Sequence, residues 1–250
     1  MQHEFTAVAT SAVERYTDFL TLLRGQADVA FRRGAALGSP REEAVNVAQD
    51  AARRFLGLEQ AQLNEDTADI ARAAHSAAQR DLAVSETTID DRFGDFIFSA
   101  AAYTGRMLAS QIERDVMTMA QHIHTTEMRI DLYVRSGRHT PSSAAAAVML
   151  EDNQAPGFRF VDRVGRRYKS TKHIRDIWRQ HLLHIYNEVY MAVVADHGWE
   201  IVKIDHLDPH YKWYGEPVAI VSHDDRFPLY YDIKDEVFHP SSDALITIAL

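Results

Sequence analysis

The sequence predicts an α+β protein, with an elongated, mostly helical region over residues 1–153 and a small α+β domain over 154–250. Three observations carry this. Through the first 150 residues, apolar side chains return at steps of three and four, the period of a helix with one buried face. After Asn153-Gln154-Ala155-Pro156-Gly157 the pattern changes to short alternating runs punctuated by glycine and proline. The 250-residue chain is 46% hydrophobic and 25% charged, enough apolar side chain for a sizeable core, which excludes disorder over most of its length.

Phe5, Val8, Ala12, Tyr16, Phe19, Leu23, Ala27 and Ala30 define the first helix, which Gly34 and Gly38 should end. Ser39-Pro40-Arg41-Glu42 combines an N-cap serine, a first-turn proline and a capping-box glutamate, so a second helix starts at Pro40 and runs through Val45, Ala48, Ala52 and Phe55 to about Leu56. A polar, alanine-rich third segment follows from about Asn64 to Leu82. Thr88-Ile89-Asp90-Asp91 is a further capping signal, and from Phe93 to Tyr133 helical spacing holds until Gly137. Unbroken, that helix would be about 65 Å long at 1.5 Å per residue; a break near Gly105 is the alternative. Ser136 to Pro141 reads as a loop and Ser142 to Leu150 as a short helix. Phe158, Phe160 and Val164 alternate in a strand or hairpin closing at Gly165, and a helix spans about Thr171 to Asp196 with Gly198 as its stop. Trp199 to His206 reads as a strand, Asp208-Pro209-His210 as a turn, Val218 to Ser222 as a strand, Asp224 to Pro240 as loops, and Leu245 to Leu250 as the last strand.

Apolar runs reach only seven residues, as at Ala144 to Leu150, well short of the ~18 to 20 that a membrane span needs. There is no cysteine, which excludes disulfides and cysteine-ligated zinc. With no basic and apolar leader after Met1, maturation in a reducing cytoplasm is expected. The formal charge of -9 argues against global wrapping of nucleic acid, but the charge is unevenly placed. Arg159 to Arg179 holds eight basic and two acidic residues, a local net of +6, and Glu200 to Asp243 ten acidic and four basic, a local net of -6. These blocks either compensate each other or leave an anion-binding face at Arg159, Arg163, Arg166, Arg167, Lys169 and Lys172, open to nucleic acid or an acidic partner.

Walker A, dinucleotide-binding, nucleophile-elbow and His-Glu-x-x-His motifs are absent. Thirteen histidines make metal binding worth weighing. His181, His184 and Glu188 lie near one helix face, yet the phase of His181 favours a core histidine. His206, Asp208 and His210 are spaced two apart, but Pro209 interrupts the alternation, and a turn in which Asp208 holds its own backbone is the simpler expectation. His122 and His124 point to different helix faces. Trp178, Trp199, Trp213, Tyr211, Tyr214, Phe227, Tyr230 and Tyr231 read as core and rim of a small domain ahead of a base-stacking surface beside Arg166, Arg167 and Lys169.

From residue 158 onward, Phe160-Val161-Asp162-Arg163-Val164-Gly165-Arg166-Arg167-Tyr168, the helix with Trp178-Arg179 and Asn187, Gly198-Trp199 before Ile201 to His206, Trp213-Tyr214-Gly215, Phe227-Pro228-Leu229 and Phe238-His239-Pro240 follow one another. In that order they resemble the C-terminal domain of tailed-phage minor capsid, or head morphogenesis, proteins. Many members of that family carry cysteines after the strand and after the closing His-Pro; here those places hold Asp208-Pro209-His210 and Ser241-Ser242-Asp243. The resemblance implies a non-enzymatic structural protein of the bacteriophage virion, made in the host cytoplasm and acting as an adaptor near the portal vertex, with no cofactor and no membrane contact. Its implied partners are the portal protein and the major capsid protein, with packaged DNA and a second copy of the chain as further candidates. The competing expectation is a metal-dependent hydrolase or nuclease using His206, Asp208, His210 and His239.

Overall fold

The computed structural model describes residues 2–37, 40–84, 92–151, 157–162, 164–221, 226–239 and 241–248. It is an α+β fold, mostly helical, with two small antiparallel sheets toward the C-terminus. The elements are α1 (Gln2–Leu37), α2 (Pro40–Leu82), α3 (Arg92–Arg135), α4 (Pro141–Glu151), β1 (Arg159–Val161), β2 (Arg167–Lys169), α5 (Ser170–Asp196), β3 (Ile201–Asp205), β4 (Pro217–Ala219), α6 (Tyr230–Val237) and β5 (Leu245–Ile248). Ser39, the capping signal at 88–91, the turn at 153–156, Arg163 and Asp224-Asp225 lie outside the described residues.

Three expectations are corrected. α1 continues through Gly34 to Leu37, because one glycine costs only about 1 kcal/mol and the strong helix formers Ala35, Ala36 and Leu37 follow it. The second and third expected helices are one, with no break between Leu56 and Asn64. The buried stripe of α2 runs on through Glu59 and Leu63, and Glu59, a polar residue on an otherwise apolar face, is held there by Arg15 at 2.5 Å. α6 occupies part of a stretch read as loop, burying Tyr230, Ile233 and Val237 on one face. α3, by contrast, passes Gly105 unbroken; a Cβ there would meet the flexible end of Gln60.

The chain divides into two compact units, each assembled from separate stretches. Residues 11–59 and 106–174 form the first. Its helices bury Tyr16, Phe19, Leu23, Ala48, Ile112, Met119 and Ile123, with Phe19 and Phe55 stacked at 4.8 Å. β1 and β2 make its antiparallel hairpin, Arg159 opposite Lys169 and Val161 opposite Arg167. The hairpin turn is closed by Asp162, whose Oδ1 accepts from the Val164 and Arg166 amides, while Gly165 takes the φ of 83° that the reversal requires.

Residues 1–10, 60–105 and 175–250 form the second unit. Its sheet has the order β4-β3-β5, both pairings antiparallel, with Val202 and Ile204 of β3 turned to a core shared with Leu182, Ile185, Val189, Tyr190 and Val193 of α5. β5 would otherwise present bare amides at a sheet edge. Two are taken by α5 side chains: Ile246 N–H donates to Asn187 Oδ1 at 3.2 Å and Ile248 N–H to Tyr190 Oη at 3.1 Å. The Tyr190 hydroxyl in turn donates to Asp81 at 2.6 Å, tying α2 to the same edge.

α5 and α2 end differently, and the difference is testable. Gly198, with φ 79°, follows α5, whereas Ala83 takes φ 54° after α2, where its N–H and that of Val84 close back on Arg80 and Gln79. A left-handed conformation costs an L-residue roughly 1–2 kcal/mol, part of which glycine returns as chain entropy. Ala83→Gly is therefore expected to stabilise the protein by about 0.5–1 kcal/mol in urea unfolding. A destabilised variant would mean that the methyl group contributes more by packing than the backbone loses.

Candidate functional site

In the first unit, the side chains capable of chemistry converge on Asp115, which has no exposed surface. α3 carries Asp115 and, one turn earlier, Gln111; α1 brings Tyr16, and the first residue of α5 brings Ser170. Tyr16 donates to Asp115 Oδ2 at 2.6 Å, and Ser170 Oγ and Gln111 Nε2 donate to Oδ1 at 3.0 and 3.1 Å. Gln111 Nε2 also reaches Ser170 Oγ, and Gln111 Oε1 accepts from Arg114, so that cation acts on the carboxylate through an amide and through space. Burial pushes the Asp115 carboxyl above its ordinary value, against the opposing pull of its donors and of Arg114. The Tyr16 hydroxyl is pushed up too, by burial first and by the neighbouring carboxylate second. The arrangement holds α1, α3 and the root of the hairpin together; Ser170 N–H also donates to Phe158 O at 3.3 Å.

His181 plays the corresponding part in the second unit. Its Nε2 lies 2.7 Å from Thr67 Oγ1 and its Nδ1 2.9 Å from Thr104 Oγ1. Thr67 already donates its hydroxyl proton to the Leu63 carbonyl at 2.5 Å, so it accepts from the ring: the proton resides on Nε2, and Nδ1 accepts from Thr104. A neutral imidazole fits this slot. Burial, then the charge of His184, lowers its pKa to about 4.

His181, His184 and Glu188 are thus not brought together as a ligand set. His184 stands edge-on to Phe96, with Nδ1 3.6 Å from Glu188 Oε1, and burial outweighs Glu188 in setting its lowered pKa. Glu188 Oε2 accepts from Tyr231 at 3.2 Å. His206, Asp208 and His210 do meet, at one exposed turn, but by way of the backbone: the Asp208 N–H donates to His206 Nδ1 at 3.0 Å and the His210 N–H to Asp208 Oδ1 at 2.9 Å. The His206 ring stacks on Tyr211 at 4.1 Å. His239 Nδ1 accepts from the Ser241 N–H at 3.2 Å in a second turn. Among the described residues no group of three histidine or carboxylate side chains is arranged to hold a metal ion. Removing the Asx contact by Asp208→Ala should cost about 1 kcal/mol in thermal unfolding; no change would show that the proline alone fixes the turn.

Of the aromatic residues, Trp178 and Tyr230 are buried, and Trp199, Tyr211 and Trp213 pack against the core, as the core assignment expects. His122 is half-buried and His124 exposed on α3. Sequence reasoning missed Asp115, Gln111, Tyr16 and Ser170 as a group. One signal was available: Gln111 and Asp115 fall in phase with Leu108, Ile112 and Met119 on the buried stripe of α3. A carboxylate in that phase demands donors, although the sequence does not name them.

An open groove of about 450 Å³ also lies in the first unit, lined by Ala52 and Leu56 of α2 and by Ile112, Val116 and Met117 of α3, with Arg53 and Glu113 among its polar members. No helix is long and apolar enough to cross a membrane among the described residues. Compared with protein-family models, curated proteins and solved structures, the chain has no match.

Proposed function

We propose that the protein is a structural component of a tailed-phage head, a minor capsid protein serving as an adaptor near the portal vertex. The observation that supports this most is what the polar residues are used for. Asp115, Ser170 and His181 hold helices together in full burial, and His206, Asp208 and His210 hold the backbone of a turn, which suits a part built to bear load between other parts. The ordered landmarks from Phe160 to His239 add to it, and the apolar groove between α2 and α3 supplies surface of the kind an adaptor uses. Quantitative mass spectrometry of purified, nuclease-treated, DNA-filled heads from the source phage tests the reading. Peptides of this chain at a small, fixed ratio to the major capsid protein are expected. Their absence from heads that carry portal and capsid proteins would sink it.

A further inference from the structure

The eight cations between Arg159 and Arg179 are sorted by their surroundings. Arg179 is tied to Asp243 at 2.6 Å and to the Ser242 carbonyl, Arg175 lies 3.9 Å from Asp176, and Arg166 lies 3.3 Å from Asp162. Lys172 sits 4.6 Å over the Tyr168 ring, and Arg163 is outside the described residues. Arg159, Arg167 and Lys169 are left, all exposed and none with an ion pair among the described residues.

These three share one face. Residues two apart on a strand point the same way, and the register sets Arg159 opposite Lys169 and Val161 opposite Arg167. Phe160 and Tyr168 take the other face, where Phe160 stacks on His173 at 3.6 Å beneath the Arg114 guanidinium. Like charges directly opposite each other weaken a hairpin. A ribbon of three residues per strand that keeps Arg159 across from Lys169 therefore gives up stability to hold its cations together. Its root is fixed, since Ser170 donates both to Phe158 and to the buried Asp115.

We propose that this outer face binds the phosphate backbone of duplex DNA, independent of base sequence. Cross-strand neighbours stand about 5 Å apart at Cβ, and Arg167 and Lys169 are about 7 Å apart along their strand. A row of cations at that interval suits successive phosphates, and two of the three are guanidiniums, which grip phosphate oxygens in pairs. The face carries no Asn or Gln to read a base edge; its remaining member is Val161. An overall charge of -9 opposes approach, so binding is confined to this patch and shows best at low salt.

The test is fluorescence anisotropy with the full chain and labelled 20-base-pair duplexes of two unrelated sequences. Three phosphate contacts predict a slope of about -2.7 for log K against log salt, a loss of roughly 40-fold between 50 and 200 mM, equal for both sequences. Arg159→Gln/Arg167→Gln/Lys169→Gln should lose at least tenfold at 50 mM salt. Arg53→Gln/Arg72→Gln/Arg135→Gln, which removes the same charge from exposed helix positions, should lose less than twofold. Lys169→Glu separates binding from folding: it sets a carboxylate across from Arg159, so the melting temperature should rise while affinity falls. Equal losses in both triple variants, no binding at 20 mM salt, or tighter binding to polyglutamate or to phosphatidylserine vesicles than to DNA would each overturn the proposal.

Discussion

Asp115→Ala is expected to lower stability by about 3 kcal/mol, a large share of the 5–15 kcal/mol typical of a folded domain. The substitution leaves Tyr16 Oη, Ser170 Oγ and Gln111 Nε2 buried without the acceptor they share, and each such group costs roughly 1–3 kcal/mol. The sum is reduced because burying the carboxylate was itself unfavourable, as its raised pKa records. Asp115→Asn should cost less, about 1–2 kcal/mol, since its amide oxygen can serve Ser170 and Gln111 while Tyr16 must turn to accept. Urea unfolding followed by circular dichroism measures both; a loss below 1 kcal/mol for the alanine variant would mean that water replaces the carboxylate.

The pH dependence of this site has the opposite sign from that of an ordinary surface carboxylate. A folded pKa above the unfolded value of 3.8 means that the native state binds the extra proton, so the stability due to Asp115 is fully present below 3.8 and is lost as pH rises through the folded value. Asp115→Asn cannot titrate. The gap between wild type and that variant should therefore widen as pH is lowered toward 4, and a narrowing gap would show that the three donors, not burial, set the charge state.

The same polar residues explain what was legible in the sequence and what was not. α4, α5, β1, β3, β4 and β5 follow local rules: period, alternation and the Gly198 stop mark them within a few residues. β2, which follows Gly165, was not expected, and Val164 lies in the turn rather than in a strand. α2 was split because Glu59, in the gap between Leu56 and Asn64, interrupts its apolar stripe, and it is held there by a residue distant along the chain, Arg15; further on, Thr67 is likewise met by His181. Pattern reading sees a polar residue on a buried face as an end of the face; only the partner shows that the face continues. α6 was missed because an eight-residue helix with three buried side chains is too short for a period to register, and it forms by packing on the sheet core. The charge blocks were read as sums and as a six-residue face, without the partner of each member. That Arg179 serves Asp243 while Arg159, Arg167 and Lys169 share an outer face depends on hairpin register, which three-residue strands do not announce.

Acidification should unlock the second unit through His181. In the folded protein its pKa is about 4 against 6.5 when unfolded, so between these values the unfolded chain takes up a proton that the native slot refuses. Stability falls as pH drops through that window, by about 3 kcal/mol at 1.36 kcal/mol per unit, and levels off below it. The slot refuses the proton because burial penalises the charged ring and the neighbouring His184 opposes it. Thr67, its own hydrogen given to Leu63, accepts from Nε2 of the neutral imidazole, and Thr104 stands at Nδ1. At pH 7, His181→Ala should cost about 3 kcal/mol from the cavity and from the acceptor that Thr104 loses. At pH 4 the wild type has lost a similar amount while the variant has no imidazole to titrate, so the two unfolding curves should nearly coincide. His181→Gln, which can donate to Thr67 and accept from Thr104 without titrating, should keep most of the neutral-pH stability and remove the acid loss. Urea midpoints at pH 7 and pH 4.5 for the three proteins decide it: parallel losses in all three would place the acid sensitivity elsewhere, with His184 and its contact to Glu188 next in line.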